Sequence, residues 1–320
     1  MKLSHAVEGF LIARTAEGYS QSTLGIYNWA LHLLIDWSQD KDPAKISPTD
    51  LQHFFAWLTA EYKPSRSGGD DAPLSPRSIE NVWTATRSFY NWATSDLNLS
   101  SRPDQNIKRP RYAETQIAPY TEKEIQSLLS ACTQTASTQG RRKTFKMHRP
   151  TALRDAAIIL VLLDTGIRAS EFSRLKIDDF DPKTGALRVK PFGSGRKTHG
   201  RTVYIGKRCQ SAVWKYLATR ESRSAKDPLF ITQENNPFNR GSLSHLVAGL
   251  GQRAGVTGAH PHRFRHTFAI QYLRNGGDVF TLQRLLGHTT LDMVRRYLAL
   301  AAVDDENAHR KASPADNWRI

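Results

Sequence analysis

Apolar side chains recur at helical spacing along the first hundred residues, which predicts a bundle of amphipathic helices. One predicted helix carries Leu24, Tyr27, Leu31 and Leu34. A second carries Leu51, Phe54, Phe55 and Leu58, and a third carries Ile79, Val82, Trp83, Phe89, Tyr90 and Ala93. The second begins at Ser47-Pro48-Thr49-Asp50, a capping-box pattern with proline in the first turn, and the third begins at Ser75-Pro76.

The second half of the chain opens with another capping-box pattern, Thr121 with Glu124, ahead of an amphipathic stretch. A strongly apolar helix is predicted over 156–163, and Gly166 ends it as a helix C-cap. Between 177 and 205 the pattern changes to short β-like runs, IDDF, ALRVK and RTVYI, separated by turn residues. Helical spacing then resumes with Val213 and Leu217 and continues to Ala301. The predicted fold class is therefore mainly α with a small antiparallel β-sheet.

A polar connector separates the two helical regions. The stretch 98–119 contains three prolines and the basic run Lys108-Arg109-Pro110-Arg111, and it shows no helical periodicity. We expect two domains, over 1–104 and over 120–320 with its C-terminal tail, joined by a basic linker over 105–119.

The charge of the chain indicates what it binds. Lys and Arg total 45 against 30 Asp and Glu, which gives a formal net charge of +15 and a pI near 9.9. Such an excess favours a polyanionic partner, of which nucleic acid is the commonest, over a protein that is merely basic. The basic linker and the polar, arginine-rich stretch 133–150 therefore either contact DNA or are solvated surface.

Other features bear on the compartment. No apolar run approaches membrane-spanning length, and the N-terminal MKLSHAVEGF lacks the apolar block of a secretory signal. The basic residues are scattered, so a membrane surface is not the expected partner. Cys132 and Cys209 are too few for a disulfide framework or a cysteine-rich zinc site. We expect a soluble, cytoplasmic protein.

The first candidate for chemistry is the segment Thr165-Gly166-Ile167-Arg168-Ala169-Ser170-Glu171. Arg168 stands where a helix is expected to begin, and Glu171 follows three residues later on the same helical face. The carboxylate is therefore placed to hold the guanidinium. For this pair taken alone, an ordinary surface ion pair is the alternative.

The second candidate is His260-Pro261-His262-Arg263-Phe264-Arg265-His266. If a helix begins here, His262, Arg265 and His266 project on one side. A guanidinium offers a planar fork to two phosphate oxygens, and an imidazole adds a third donor. Zinc is the alternative ligand of the two histidines, but the metalloprotease motif needs a glutamate where this chain has Arg263. We therefore expect a phosphate site and no metal.

Two further signals lie nearer the C-terminus, Leu286-Gly287-His288 and Tyr297. Each is weak alone, because a tyrosine at helical spacing is usually a core residue and a histidine after glycine often closes a helix. Their order and separation are more informative. Arg265 precedes His288 by 23 residues, and His288 precedes Tyr297 by 9.

The ordered set TGIRASE, HxxR, LGH and a later tyrosine resembles the tyrosine recombinase, or phage integrase, family. The resemblance covers nearly the whole chain, since the N-terminal bundle matches the family's core-binding domain in length and helical character. It implies two domains clamped around DNA. The first is a SAM-like helical core-binding domain, and the second is an α-rich catalytic domain with a small antiparallel sheet.

The resemblance also implies roles for individual residues. Tyr297 would attack a DNA phosphate, forming a 3′-phosphotyrosine and releasing a 5′-hydroxyl. Arg168 and Arg265 would hold the non-bridging oxygens. His262 would assist deprotonation of the tyrosine, and His288 would hydrogen-bond the phosphate. These two arginines and two histidines would supply the positive field that other phosphoryl-transfer enzymes take from Mg²⁺, so no metal or other cofactor is expected.

The proton donor departs from the family pattern. In the family it is a lysine on the β-hairpin after the first arginine, often within a Gly-Lys-Gly turn. Here the turn reads Gly193-Ser194-Gly195-Arg196-Lys197, with serine where lysine is common. Lys197 is the expected general acid because it lies in the turn, and Lys190 near the strand end is the alternative. Glu171 is expected to support the site without taking part in the reaction.

The implied activity is site-specific recombination of double-stranded DNA by a homotetramer, through a Holliday junction. The role would be integration or excision of a mobile element, or dimer resolution. A type IB topoisomerase-like enzyme would use similar chemistry without synapsis, and the N-terminal bundle favours recombination. A DNA-binding protein with an inactive site is the other alternative, against which the intact set of candidate residues argues.

Overall fold

The computed structural model describes most of the chain in two compact units, Met1–Thr115 and Gln116–Ile320. The described residues are 1–65, 72–100, 102–111, 118–133, 148–191, 200–221, 224–288, 290, 291, 294, 295, 297, 298, 309, 313 and 315, with the strand backbone at 138–139 and 144–145. Each unit has its own hydrophobic core. Within this described part, no helix combines the length and the apolar character needed to cross a membrane.

The first unit is a helical bundle with an aromatic core. Its helices are α1 (Leu3–Ala16), α2 (Gln21–Ser38), α3 (Pro48–Ala60) and α4 (Pro76–Asp96). The sequence pattern predicts α2, α3 and α4 but not α1. Its buried side chains Leu3, Ala6, Val7 and Phe10 follow the helical spacing i, i+3, i+4 and i+7, so the sequence carried the signal for α1 and the prediction overlooked it.

The helix starts of this unit form as the sequence predicts. The Ser47 hydroxyl accepts from the Asp50 N–H at 3.1 Å, and the Asp50 carboxylate accepts from the Ser47 N–H at 2.8 Å. The Ser75 hydroxyl likewise accepts from the Ser78 N–H at 3.1 Å. These side chains satisfy backbone donors that a helix start leaves without intrahelical partners.

The connector folds back on α4 over residues 102–111. The Trp83 indole donates to the Ile107 carbonyl at 3.0 Å, and Arg109 Nε binds the buried carboxylate of Glu80 at 2.6 Å. Arg109 belongs to the basic run 108–111, for which the sequence left DNA contact and solvation as alternatives. Its guanidinium is paired with Glu80 of the same unit.

The second unit is mainly helical, with two small antiparallel sheets. Its helices are α5 (Glu122–Thr133), α6 (Ala152–Thr165), α7 (Ala169–Phe172), α8 (Lys207–Ala218), α9 (Arg240–Ala254), α10 (Pro261–Arg274) and α11 (Val279–Leu286). The strands are β1 (Thr138–Gln139), β2 (Thr144–Phe145), β3 (Ala186–Val189) and β4 (Arg201–Tyr204), paired β1 with β2 and β3 with β4. Apolar α6 packs against α5, α8 and α10 at the centre of the core. The predicted fold class is confirmed.

Two local predictions are wrong. The run IDDF is not a strand, because Ile177–Asp179 forms a 3₁₀ turn in which the Asp179 carboxylate accepts from the Lys176 N–H at 3.0 Å. Such side-chain bonds to the backbone compete with strand pairing.

Helical spacing also fails between α8 and α9, where the described residues form turns and isolated bridges. Pro228 and Pro237 interrupt the helix there, and Asn235 adopts a left-handed φ of 60°.

Candidate active site

Three segments of the second unit meet at the site: the junction of α6 and α7, the start of α10 and the end of α11. Gly166 ends α6 in the left-handed conformation at φ 59°, and Arg168 is the extended N-cap of α7. The Gly166 carbonyl accepts from Arg265 Nη1 at 2.8 Å, which ties the junction to α10. Arg265 Nη2 donates to the Leu286 carbonyl at 2.7 Å, which ties α10 to the end of α11.

Arg168 lies against the buried carboxylate of Glu171. Its Nη1 donates to Glu171 Oε1 at 3.0 Å, and the Glu171 carboxylate also accepts from the Arg168 N–H at 2.8 Å. The side chain of Glu171 is 2% exposed, whereas that of Arg168 is 30% exposed. The pair is therefore not an ordinary surface ion pair, and the guanidinium keeps an open side.

Arg201, at the start of β4, is a member of this group that the sequence reasoning missed. Its Nη1 and Nη2 donate to the two oxygens of Glu171 at 2.9 and 2.8 Å, and its Nε donates to the Leu285 carbonyl at 2.5 Å. Burial opposes ionisation of Glu171, but the hydrogen bonds and charge of Arg201, together with Arg168, lower its pKa to about 2. The only sequence signal was an arginine at a strand start, which is common.

The start of α10 presents the HxxR pair. The His260 side chain caps this helix by accepting from the Arg263 N–H at 3.2 Å. Arg265 is 2% exposed, and burial with the neighbouring charge of Arg168 lowers its pKa to about 9. That value still leaves it a cation at neutral pH. His262 lies at the open edge of the helix, and partial burial with the positive charges around it lowers its pKa to about 4.

His288 follows Gly287, which ends α11 in the left-handed conformation. Its Nε2 is 2.7 Å from Arg265 Nη2. A guanidinium can only donate, so Nε2 is the acceptor and the proton of the neutral ring sits on Nδ1. Burial and the charge of Arg265 lower the pKa of His288 to about 3, so the ring is neutral at physiological pH.

Tyr297 is buried beside these histidines. It is 5% exposed, and its ring centroid lies 5.4 Å from that of His266 and 6.4 Å from that of His288. His266 also contacts His262, with ring centroids 4.6 Å apart. The tyrosine packs in a small apolar cluster with Ala269, Ile270, Leu273, Leu282, Leu286 and Val294. The five predicted residues Arg168, His262, Arg265, His288 and Tyr297 thus lie in one region of the unit.

Lys197 and Lys190 are the two candidate proton donors. Lys197 lies outside the described residues. Lys190 is bound by two aspartates at the end of β3, at 2.6 Å to Asp179 and 3.9 Å to Asp178. The hydrogen bond to Asp179 raises the pKa of Lys190. These partners do not belong to the arginine and histidine group.

The arrangement has the chemistry of an anion site. Two guanidinium groups bind one carboxylate and a third, that of Arg265, lies nearby, so the region carries excess positive charge, while the nearby histidines are neutral. In the part of the chain that the structure describes, no three histidine, cysteine or acidic side chains group as metal ligands. Cys132 and Cys209 are buried and free. A phosphate with two non-bridging oxygens matches such a group of donors.

Comparison with known proteins agrees with this chemistry. The family model described as "Phage integrase family" matches residues 120–303, and "Phage integrase, N-terminal SAM-like domain" matches residues 7–98. Tyrosine recombinase XerD of Bifidobacterium longum (strain NCC 2705) is 29% identical over 304 residues, which cover 91% of each chain. Tyrosine recombinase XerC of Leptospira interrogans is 26% identical over 305 residues, covering 93% of this chain and 89% of that protein.

Solved structures share the fold. The Tn1549 transposon integrase in complex with transposon right end DNA aligns with a TM-score of 0.73 at 17% identity, covering 98% of this chain and 100% of that one. A lambda integrase dimer bound to a core site aligns with a TM-score of 0.68 at 14% identity, covering 92% and 97%. The family models together span both units of the chain. The chain therefore belongs to the phage integrase family, and it is a site-specific recombinase of the tyrosine type.

Proposed function

We propose that this recombinase cuts and rejoins double-stranded DNA at specific sites through a covalent 3′-phosphotyrosyl bond to Tyr297. One observation carries the proposal. The buried Tyr297, the neutral His262 and His288, and the arginines Arg168 and Arg265 lie in one region of the unit. Phosphoryl transfer needs a nucleophile, charge stabilisation and proton transfer, and we propose that these side chains offer the nucleophile, the charge stabilisation and the proton acceptor.

The nucleophilic step forms a bond between the Tyr297 phenolic oxygen and phosphorus, and it breaks the bond from phosphorus to the 5′-oxygen. The phenolic proton passes to a base, for which we propose His262. The ring is unprotonated at neutral pH and can accept a proton, and the negative charge of a bound phosphate would raise its pKa toward the range of an effective base. The 5′-oxygen leaves with a proton from the general acid, for which Lys197 remains our proposal.

Arg168 and Arg265 are proposed to bind the non-bridging oxygens as negative charge builds on them. Arg265 is held rigidly by two backbone carbonyls and His288, while Arg168 keeps an open side. His288 carries its ring proton on a buried nitrogen, so it is proposed to support the phosphate by holding the Arg265 guanidinium in place. Preorganised donors of this kind stabilise charge without a metal ion, so we propose that cleavage needs none.

Religation reverses the same steps. A 5′-hydroxyl attacks the phosphotyrosine, the phosphorus bond to Tyr297 breaks, and the phenol regains its proton, so no ATP is consumed.

When the attacking hydroxyl comes from a second duplex, strands are exchanged through a Holliday junction. We propose that a homotetramer on two DNA sites carries this out, in integration, excision or dimer resolution. The structures of two related integrases were solved with DNA bound, which supports the choice of substrate. We propose that the protein acts in the cytoplasm, where the DNA of the bacteria that carry its relatives lies.

The experiment that tests the proposal begins with the unknown target site. Covalent protein–DNA adducts are trapped in cells that express the chain, and the attached DNA is sequenced. A nicked suicide duplex of that site then captures the cleaved intermediate. The parent should accumulate a covalent adduct, and Tyr297→Phe should bind the same duplex but form none.

The matched control is Tyr204→Phe, which removes the hydroxyl of an exposed tyrosine on β4 and should leave the adduct unchanged. An undiminished adduct in Tyr297→Phe would refute the assignment of the nucleophile. A parent protein that binds a site but never forms an adduct there would favour a DNA-binding protein with an inactive site.

A further inference from the structure

Three arginines of the site share one support. It consists of the Glu171 carboxylate and the carbonyls of residues 285–287 at the end of α11, and we call it the arginine support. Arg201 donates to the carbonyl of Leu285, Arg265 to that of Leu286, and Arg168 to those of Leu286 and Gly287. Arg168 and Arg201 both bind Glu171.

The composition of the support has a physical reason. Like charges this close repel strongly when they are partly buried. The last carbonyls of a helix have no intrahelical partner and carry the negative end of its dipole. Together with one buried carboxylate, they offset the repulsion among the three guanidinium groups. The end of α11 therefore makes it possible to concentrate positive charge here before any phosphate arrives.

The three arginines are not equivalent within the support. Arg201 is 9% exposed, and its Nε, Nη1 and Nη2 are all used in contacts of 2.5 to 2.9 Å. Arg168 is 30% exposed, and its contacts to the α11 carbonyls are long, at 3.5 and 3.4 Å. Arg201 is thus committed to holding Glu171, whereas Arg168 is held by Glu171 and still open to a ligand.

We propose that Arg201 is a positioning residue for the recombination reaction, which orients Arg168 toward the phosphate by holding the Glu171 carboxylate between them. The inference rests on the proposed role of Arg168 in phosphate binding. It adds a residue from β4, the strand that follows Lys197 in the sequence, to the residues that build the site.

A role of this kind has a signature in the pH dependence of cleavage. The charged or titratable groups that face Glu171 are Arg168, Arg174, Arg201, Arg265 and His288. Removing the charge of Arg201 takes away the largest influence that favours ionised Glu171, while burial still favours the neutral acid. The pKa of Glu171 should then rise. A protonated Glu171 holds Arg168 poorly, so cleavage should fall as the pH falls.

The experiment measures single-turnover cleavage of the nicked duplex by the full chain, with DNA affinity measured separately in the Tyr297→Phe background. Arg201→Gln should slow cleavage by about 10- to 100-fold, since small misplacements of a catalytic group cost that much, with a much smaller change in affinity. Its pH–rate profile should gain an acidic limb in addition to the one that protonation of the proposed base His262 gives the parent. Arg201→Lys, which keeps the charge but not the fork, should recover part of the rate.

The double variant Arg201→Gln/Glu171→Gln separates positioning from a general structural defect. If Arg201 acts through Glu171, the double variant should be about as slow as the slower single variant, and the added acidic limb should vanish. Arg188→Gln removes an exposed arginine from the paired strand β3 and should cleave like the parent. If Arg201→Gln is poorly folded, the comparison is made between Arg201→Lys and its double variant with Glu171→Gln.

Two results would overturn the proposal. One is an Arg201→Gln variant that cleaves at the parent's rate with the parent's pH profile. The other is a double variant whose defect is the product of the two single defects, which would mean that the residues act independently. Either result leaves the proposed function intact as long as the parent forms an adduct and Tyr297→Phe does not.

Discussion

Arg265 donates a hydrogen bond to His288 across 2.7 Å, although both side chains carry positive charge when protonated. The contact is favourable only while His288 is neutral. Burial and the charges of Arg265, Arg168 and Arg201 keep it so by lowering its pKa from 6.5 to about 3. The folded protein therefore resists protonation of a residue that the unfolded chain protonates readily.

This relationship predicts how stability depends on pH. Between about pH 6.5 and pH 3 the unfolded chain binds a proton at His288 that the folded protein does not, so the free energy of unfolding falls as the pH falls. Above pH 6.5 the contribution is fully present. His288→Gln keeps an acceptor for Arg265 and removes the titration. Its slope of unfolding free energy against pH, from urea unfolding, should be shallower by up to about 1.4 kcal/mol per pH unit. An unchanged slope would contradict the neutral assignment.

Gly287 should matter for catalysis beyond its backbone conformation. Its φ is +63°, and an added Cβ would lie 3.0 Å from Arg201 Nη1. Gly255 has a similar φ of +67° with nothing within 4 Å, so Gly255→Ala is the matched control. Both alanine variants should lose about 1 kcal/mol of stability from the left-handed backbone. Only Gly287→Ala should also slow cleavage, and equal cleavage rates in the two variants would show that Arg201 tolerates the displacement.

The proton donor can be identified with a substrate in which sulfur replaces the bridging 5′-oxygen. Sulfur leaves without needing a proton, so loss of the general acid no longer matters. Lys197→Ala should cleave normal DNA about 10²- to 10⁴-fold more slowly and the sulfur substrate nearly as fast as the parent. Lys190→Ala should show neither effect, because Lys190 is bound to Asp179. Rescue of Lys190→Ala would mean that the donor lies on the strand.

Cleavage should continue after metal removal. The guanidinium groups that the arginine support holds supply positive charge through protein groups alone, and they remain charged at neutral pH. Single-turnover cleavage should therefore proceed at the same rate in excess EDTA. Loss of cleavage in EDTA, restored by Mg²⁺ or Zn²⁺, would require a different account of charge stabilisation.

Much of the protein follows from local patterns in the sequence. The capping box of Ser47 and Asp50 and the glycine at position 166 specify helix ends through bonds and conformations that span only a few residues. His262 and Arg265 share a side of α10 because helical geometry places residues three apart together. The order of these motifs was also enough to indicate the family, which the family models confirm.

The errors arise where a local preference met a competing interaction. IDDF has the composition of a short strand, but the Asp179 carboxylate bonds to the Lys176 N–H and turns the chain. Which of the two prevails depends on the contacts that the rest of the fold supplies, and a residue pattern does not contain that information. The first helix of the chain is a different case, because Leu3, Ala6, Val7 and Phe10 have helical spacing and the pattern alone could have predicted it.

The arginine support is the part of the site that only the tertiary structure decided. Arg201 is 30 residues from Glu171 and 84 from Leu285, and its spacing in sequence relates it to neither. The β3–β4 pairing and the way α11 ends beside α7 bring them together. Local sequence determined which side chains carry charge and which helices present them. Long-range packing determined which charges share a partner, because electrostatic interactions depend on distance in space and on burial.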